Sequence, residues 1–304
     1  MTSTVAFLGP AGTFTEAALV AFEKAGAVSD VQQLPVNSPS EAFQAVREGR
    51  ADFACVAIEN SVDGAVTTTF DAFTEGDALQ VYQEVNLEVA FAIMVKKGLS
   101  LDDVHTIATH PVAYQQVRGW LTENIPDAKF QPASSNGAAA EAVSRGEVDA
   151  AAAPERAAEI FGLDVLANSV ADVKGATTRF VLVGKPGRPT ERTGNDRTSV
   201  VFTVPHEPGS LASILQEFSY RNVDMLRIES RPTRKKFGTY NFFIDLAGHI
   251  EDEPLSEALR ALWLRTENLR FIGSWPAADQ SGPKLDTTEF DKATAWVAKV
   301  REGR

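Results

Sequence analysis

The chain has 304 residues, 44% of them hydrophobic, enough for the cores of about two domains of roughly 100–200 residues each. Its formal charge of −12 excludes a nucleic-acid binder, which needs a basic footprint, and leaves any anionic ligand dependent on a local site. A single cysteine, Cys55, excludes a disulfide framework and fits a reducing cytoplasm.

Residues Met1 to Pro10 carry no basic segment ahead of an apolar one, and they run directly into a strand. No apolar run approaches the roughly 18 residues of a membrane span, so the expectation is a cytoplasmic protein, neither exported nor membrane-bound. From Val5 to Gly184 short apolar runs alternate with helical patterns. The patterning predicts strands near 4–8, 53–58, 105–109, 149–153 and 179–183 and helices near 14–25, 39–48, 111–123 and 136–145. That alternation specifies an α/β unit with a parallel sheet. Thr13-Phe14-Thr15-Glu16 is a capping box, and Ser38-Pro39 and His110-Pro111 each put a proline at a first helical position. The extended stretch 81–96 exceeds an ordinary strand of about 5–6 residues and is expected to cross between two lobes, with a return near 163–173. Residues 185–197 are polar and rich in Gly and Pro, as a linker is. Beyond it, a strand at 198–204, a helix at 209–220, strands at 224–233 and 237–246, a helix at 254–266 and a strand at 269–275 give βαββαβ, the ferredoxin-like order. The tail, 276–304, holds one helix near 287–301.

Four runs carry chemistry. Gly9 to Thr13 joins a strand to a capped helix, so its N–H groups and the helix dipole form an anion site without a lysine; a tight strand-to-helix connection is the other reading. Asn60 and Ser61 close the apolar strand Phe53 to Ile58, at the edge where open parallel sheets place ligands. Asn60 both donates and accepts there, or caps a turn, and Glu59 has the look of an ion-pair partner. His110 has the unperturbed pKa of a general acid, but as a lone histidine with no carboxylate at metal-ligand spacing it reads rather as a helix cap or a structural residue. In Thr178-Arg179-Phe180, threonine offers a positioned hydrogen bond and arginine a bidentate carboxylate clamp, while Phe180 alternates onto the core; the bland alternative is a strand start with a surface arginine.

Gly9 to Ala18, Ile58-Glu59-Asn60-Ser61, Thr109-His110-Pro111 with Gln115-Gln116, and Thr178-Arg179-Phe180 fall in the order seen in prephenate dehydratases. The region 198–275, with Pro208-Gly209-Ser210-Leu211 and Glu229-Ser230-Arg231-Pro232, resembles the ACT regulatory domain that follows them. The resemblance ends at Trp275 and leaves the tail uncovered. It implies a two-lobed, periplasmic-binding-protein-like catalytic domain at 1–184, a linker at 185–197 and an ACT domain at 198–275. The implied reaction is loss of carbon dioxide and water from prephenate to give phenylpyruvate, with no metal or organic cofactor. Carried over residue by residue, Thr178, Asn60 and Gln116 are expected in catalysis, and Gly12, Thr13, Ser61, Thr109 and Arg179 in substrate binding. Thr109 stands where the family commonly has serine. Pro208, Gly209, Ser210, Leu211, Asn222, Glu229, Ser230, Arg231 and Pro232 are expected to bind L-phenylalanine between two ACT domains, in a homodimer or homotetramer. One departure is Ala176, where many relatives carry asparagine; Thr177 is the neighbour available to replace it. An arogenate dehydratase, a solute-binding protein and a non-catalytic amino-acid sensor remain as alternatives.

Overall fold

The computed structural model describes residues 2–279 and 284–304. In chain order its elements are β1 (Ser3–Leu8), α1 (Phe14–Lys24), β2 (Val31–Val36), α2 (Pro39–Glu48), β3 (Phe53–Asn60), β4 (Gly64–Ala65), α3 (Thr67–Thr74), β5 (Gln80–Glu88), β6 (Ala92–Val95), β7 (Thr106–Thr109), α4 (Pro111–Asn124), β8 (Lys129–Pro132), α5 (Asn136–Arg145), β9 (Ala150–Ala153), α6 (Glu155–Phe161), β10 (Asp164–Ala167) and β11 (Thr177–Gly184). There follow β12 (Asp196–Thr203), α7 (Ser210–Ser219), β13 (Met225–Pro232), β14 (Tyr240–Ala247), α8 (Glu253–Arg265), β15 (Glu267–Pro276) and α9 (Thr288–Arg301). Two compact units result, Met1–Ala72 with Val85–Leu182, and Phe73–Glu84 with Val183–Arg304.

The first unit is two-lobed. One lobe carries the strand order β5-β11-β3-β1-β2 and the other β10-β6-β9-β7-β8. β1 pairs in parallel with both β2 and β3, as adjacent βαβ units must. The chain passes between the lobes at 89–91 and 168–176, and residues 164–167, within the expected return stretch, form strand β10 against β6. In the second lobe alternate residues serve opposite faces: Ile93 and Val95 pack with Ile107 and Val117, while Ala92 and Met94 pack with Val143 and Ala151. A sheet covered on both faces reads as continuous apolar sequence, and Ala150–Ala153 is wholly buried. The first lobe's core gathers Phe7, Leu19, Phe22, Phe180 and Leu182.

Helix starts follow the capping chemistry. Ser38 Oγ accepts from Glu41 N at 3.1 Å, Thr13 Oγ1 from Glu16 N at 3.2 Å and His110 Nδ1 from Val112 N at 3.3 Å. The patterning lacked β4, α3 and α6 and took β5 and β6 together as one crossing, and it missed β2 and β8, each the last strand of its sheet. With one face open to water they carry Gln32, Gln33 and Pro35, and Lys129, Gln131 and Pro132, and so lack an apolar run.

In the second unit the order is β13-β14-β12-β15-β5, whose first four strands are the ferredoxin-like arrangement. Helices α7 and α8 cover it through a core that includes Phe202, Ile214, Phe218, Leu246 and Leu262. Gly273 of β15 lies opposite Val81 of β5 in parallel register. Beneath the sheet, Glu84 accepts from Trp275 Nε1 at 3.0 Å and from Ala278 N at 2.9 Å, and pairs with Arg197 at 3.2 Å. Arg197 also meets Asp245 at 3.6 Å, and Arg227 binds that carboxylate through Nε at 3.0 Å and Nη2 at 3.1 Å. Helix α9 buries none of its residues. Among the described residues, no helix is long and apolar enough to cross a membrane.

Candidate active site

A cavity of about 520 Å³ opens within the first unit, between strand ends of one lobe and helix starts of the other. Its floor is apolar: Leu8, Ala57, Val89, Phe180 and the edge-to-face pair Phe14 and Phe91, 5.4 Å apart. Thr178 and Asn60, 118 positions apart in sequence, meet on its wall. They do so because β11 and β3 are sheet neighbours and β11 starts where β3 ends, with Ser61 N donating to Thr177 O at 2.8 Å and Thr177 N to Ser61 Oγ at 2.9 Å.

Hydrogen-bond logic then sets the direction of each group. Asn60 Oδ1 accepts from Val62 N at 2.8 Å and Asp63 N at 3.1 Å, so its amide nitrogen must point the other way. That nitrogen donates to Thr178 Oγ1 at 2.8 Å. The buried Thr178 hydroxyl, accepting from Asn60, keeps its own proton to donate to a third group. Across the cavity, Gln116 Nε2 on α4 donates to Asp63 Oδ2, joining the two lobes, while buried Gln116 Oε1 has no hydrogen-bond partner. Gln115 is not among the wall residues, as expected for its neighbour on a helix.

Four helices start at this cavity: α1 at Thr13 and Phe14, α3 at Thr67 and Thr68, α4 at Val112 and Ala113, and α5 at Asn136. Each start turns the positive end of a helix dipole toward it, though Thr13, His110 and Ser135 already cap one N–H apiece at α1, α4 and α5. Among the described residues none lining the cavity is lysine or arginine, so carboxylates there would be met by backbone and side-chain dipoles. His110 lines it too. Its Nδ1 accepts from Val112 N, placing the proton of the neutral ring on Nε2, and desolvation holds its pKa below the ordinary histidine value.

The other expected substrate-binding residues are placed differently. Arg179 lies between Thr178 and Phe180 on an alternating strand, so it leaves the wall they share; its guanidinium meets Glu59 at 2.9 Å. Thr109 is fully buried with its hydroxyl donating to Ala152 O at 2.7 Å, and is absent from the wall. Ser61 is absent from the wall, and its Oγ accepts from Thr177 N as above. Gly12 N donates to Glu16 Oε2 at 2.7 Å, so the capping-box carboxylate already occupies the donor expected to face a ligand. The glycine is needed for packing: its φ is +82°, and a Cβ there would sit 3.1 Å from Ala157 Cβ. Ala176 is buried in the second lobe's core, and Thr177 Oγ1 turns to Gly175 O at 3.2 Å, so neither supplies an amide to the cavity. Sequence reasoning overlooked Asp63 and the Ser134-Ser135-Asn136 start of α5; the Ser-Ser-Asn cap before a helical pattern was the available signal.

In the second unit a smaller cavity of about 150 Å³ is bordered by His206, Ser210, Leu211, Tyr240 and Phe242. Pro208 and Gly209 are not part of its wall; Gly209 caps α7 at φ +84°, with open space where a Cβ would stand. Ser230 and Pro232 lie across the ladder from Phe242 and Tyr240, and Glu229 and Arg231 share their strand. β13 is the outermost strand of the unit's sheet, and Asn222 takes φ +54° in the turn before it.

Known proteins resemble both parts of the chain. The family model for prephenate dehydratase matches residues 5–188 and that for the ACT domain residues 198–264. A prephenate dehydratase of Corynebacterium glutamicum is 57% identical over 305 residues, covering 99% of this chain and 97% of the relative. The crystal structure of a prephenate dehydratase from Arthrobacter aurescens in complex with L-Phe superposes with a TM-score of 0.87 at 40% identity, covering 98% of this chain and 99% of that one. A structure described as a novel type of quorum-quenching acylase, GqqA, reaches a TM-score of 0.79 at 31% identity, covering 90% of this chain and 98% of that one.

Proposed function

Since the chain belongs to the prephenate dehydratase family, we propose that it converts prephenate to phenylpyruvate and that L-phenylalanine, bound at its ACT domain, restrains the reaction. The observation that carries the catalytic reading is the Asn60 to Thr178 hydrogen bond, whose direction reserves the threonine proton for a substrate oxygen. In the reaction the bond from the ring to its carboxylate breaks and carbon dioxide leaves. The freed electron pair completes the aromatic ring and expels the hydroxyl at the opposite ring carbon, which departs as water once protonated. A threonine hydroxyl is a weak acid, so Thr178 acts through a hydrogen bond that strengthens as the leaving oxygen gains charge, the full proton arriving late by way of water. The apolar floor suits the ring, and the helix starts suit the two carboxylates. Gln116 adds an acceptor toward the substrate. Arg179, paired with Glu59, supports the strand end on which Thr178 stands.

We take 1–184 as the catalytic domain, 185–197 as the linker, 198–275 as the ACT domain and 276–304 as the tail. A single cysteine, with no second thiol in this chain to pair with, supports a reducing, cytoplasmic setting. Glu229 to Pro232 lie on an edge strand that also exposes Ile228, which supports a second copy completing the L-phenylalanine site in a homodimer or homotetramer.

Turnover of prephenate and of arogenate, compared by the ultraviolet absorbance of their products, tests the reaction. Prephenate is expected to be the better substrate; no turnover of either would reduce the protein to a sensor. L-phenylalanine is expected to raise the thermal midpoint, as a ligand of the folded state must. That rise should vanish in Gly209→Val, whose branched side chain fills the open space at the α7 start and strains a left-handed backbone. A rise that survives the substitution would move the effector elsewhere.

A further inference from the structure

A carboxylate in the wall of a cavity that takes an anion is unfavourable by simple charge repulsion, so the presence of Asp63 calls for a compensating role. We propose that Asp63 is a positioning residue that orients both amides of the site and ties their alignment to closure of the two lobes. The proposal rests on the dehydratase reading above.

The carboxylate is an acceptor only. Facing Gln116, it admits the NH₂ end of that amide and rejects the carbonyl end, so Gln116 Oε1 is left as the unpartnered acceptor. A neutral amide or hydroxyl at position 63 could donate as well as accept, and Gln116 would then be free to turn over. The backbone N–H of the same residue binds Asn60 Oδ1, which directs Asn60 Nδ2 to Thr178. A continuous chain therefore runs from α4 of one lobe through Asp63 and Asn60 to the Thr178 hydroxyl of the other. Opening the lobes removes the first link. Asp63 is itself exposed, so its side chain can be changed without opening a cavity in a core.

Steady-state kinetics on prephenate test the proposal. Asp63→Ala is expected to lower kcat about 10–100-fold with KM within about two-fold, the signature of an interaction that matters in the transition state. Asp63→Asn, which keeps the acceptor but adds a donor, is expected to recover part of the loss. In a Gln116→Ala background Asp63→Ala is expected to cost no more than about two-fold further, because the two residues act as one unit. Unchanged kcat in Asp63→Ala, a loss carried by KM, or full additivity with Gln116→Ala would each overturn the proposal. Failure of the dehydratase reading is separable: there the parent itself, with Asp63 and Gln116 intact, would turn over no prephenate, whereas each overturning result above is read against a parent that does.

Discussion

Thr178→Val is expected to lower turnover of prephenate by about 10²–10³ with little change in KM, the loss seen when one donor to a developing oxyanion is removed. Valine keeps the branched shape in a buried position and puts a methyl group where the hydroxyl was, and a thermal unfolding curve beside the parent's separates loss of fold from loss of chemistry. Thr178→Ser, which restores the donor, should regain most of the rate. The substitution also strands Asn60 Nδ2, whose orientation is held by Val62 and Asp63 N–H groups and cannot turn to find another partner. Parent-like turnover in a folded Thr178→Val protein, followed by phenylpyruvate absorbance, would remove Thr178 from the chemistry.

Glu84→Ala is expected to destabilise the second unit by about 3–5 kcal/mol, the range for removing one partner of a buried ion pair. The carboxylate accepts from Trp275 Nε1 and Ala278 N and faces Arg197, so its loss leaves an indole N–H unpaired and a mostly buried guanidinium short of a counter-charge. Trp275→Phe, which deletes one neutral-donor bond and keeps the ring, should cost far less. Thermal and urea unfolding of the two variants check the order. A Glu84→Ala midpoint within about 2 °C of the parent would mean that Arg197 finds full compensation in Asp245.

Local chemistry made the central strands and helix starts legible, since both depend on neighbours in sequence. Thr13, Ser38 and His110 cap the helices they precede. Strands at the margins of sheets were illegible because half their surface is solvated and their residues follow no apolar period. At Thr178-Arg179-Phe180 the alternation was readable, but a period of two has two phases, and the residues alone do not say which phase meets the cavity. The phase is decided by Glu59, 120 positions away, which takes Arg179 and leaves Thr178 and Phe180 on the wall. Asp63 was invisible for the same kind of reason: its partner Gln116 is 53 positions distant and meets it only when the lobes approach. The Gly12 loop shows the converse, a local signature for anion binding that the chain satisfies internally with Glu16.

A cavity walled by helix starts, with no ammonium or guanidinium among its described lining residues, holds its ligand by forces that fade within a turn of helix. At longer range an approaching prephenate dianion meets the field of a chain whose formal charge is −12. Encounter is therefore uphill until the last few ångströms, and dissolved ions, by screening that field, ease the approach more than they weaken the grip. The enzyme is built to retain its substrate rather than to attract it, and a salt-containing medium is the one in which that arrangement loses least.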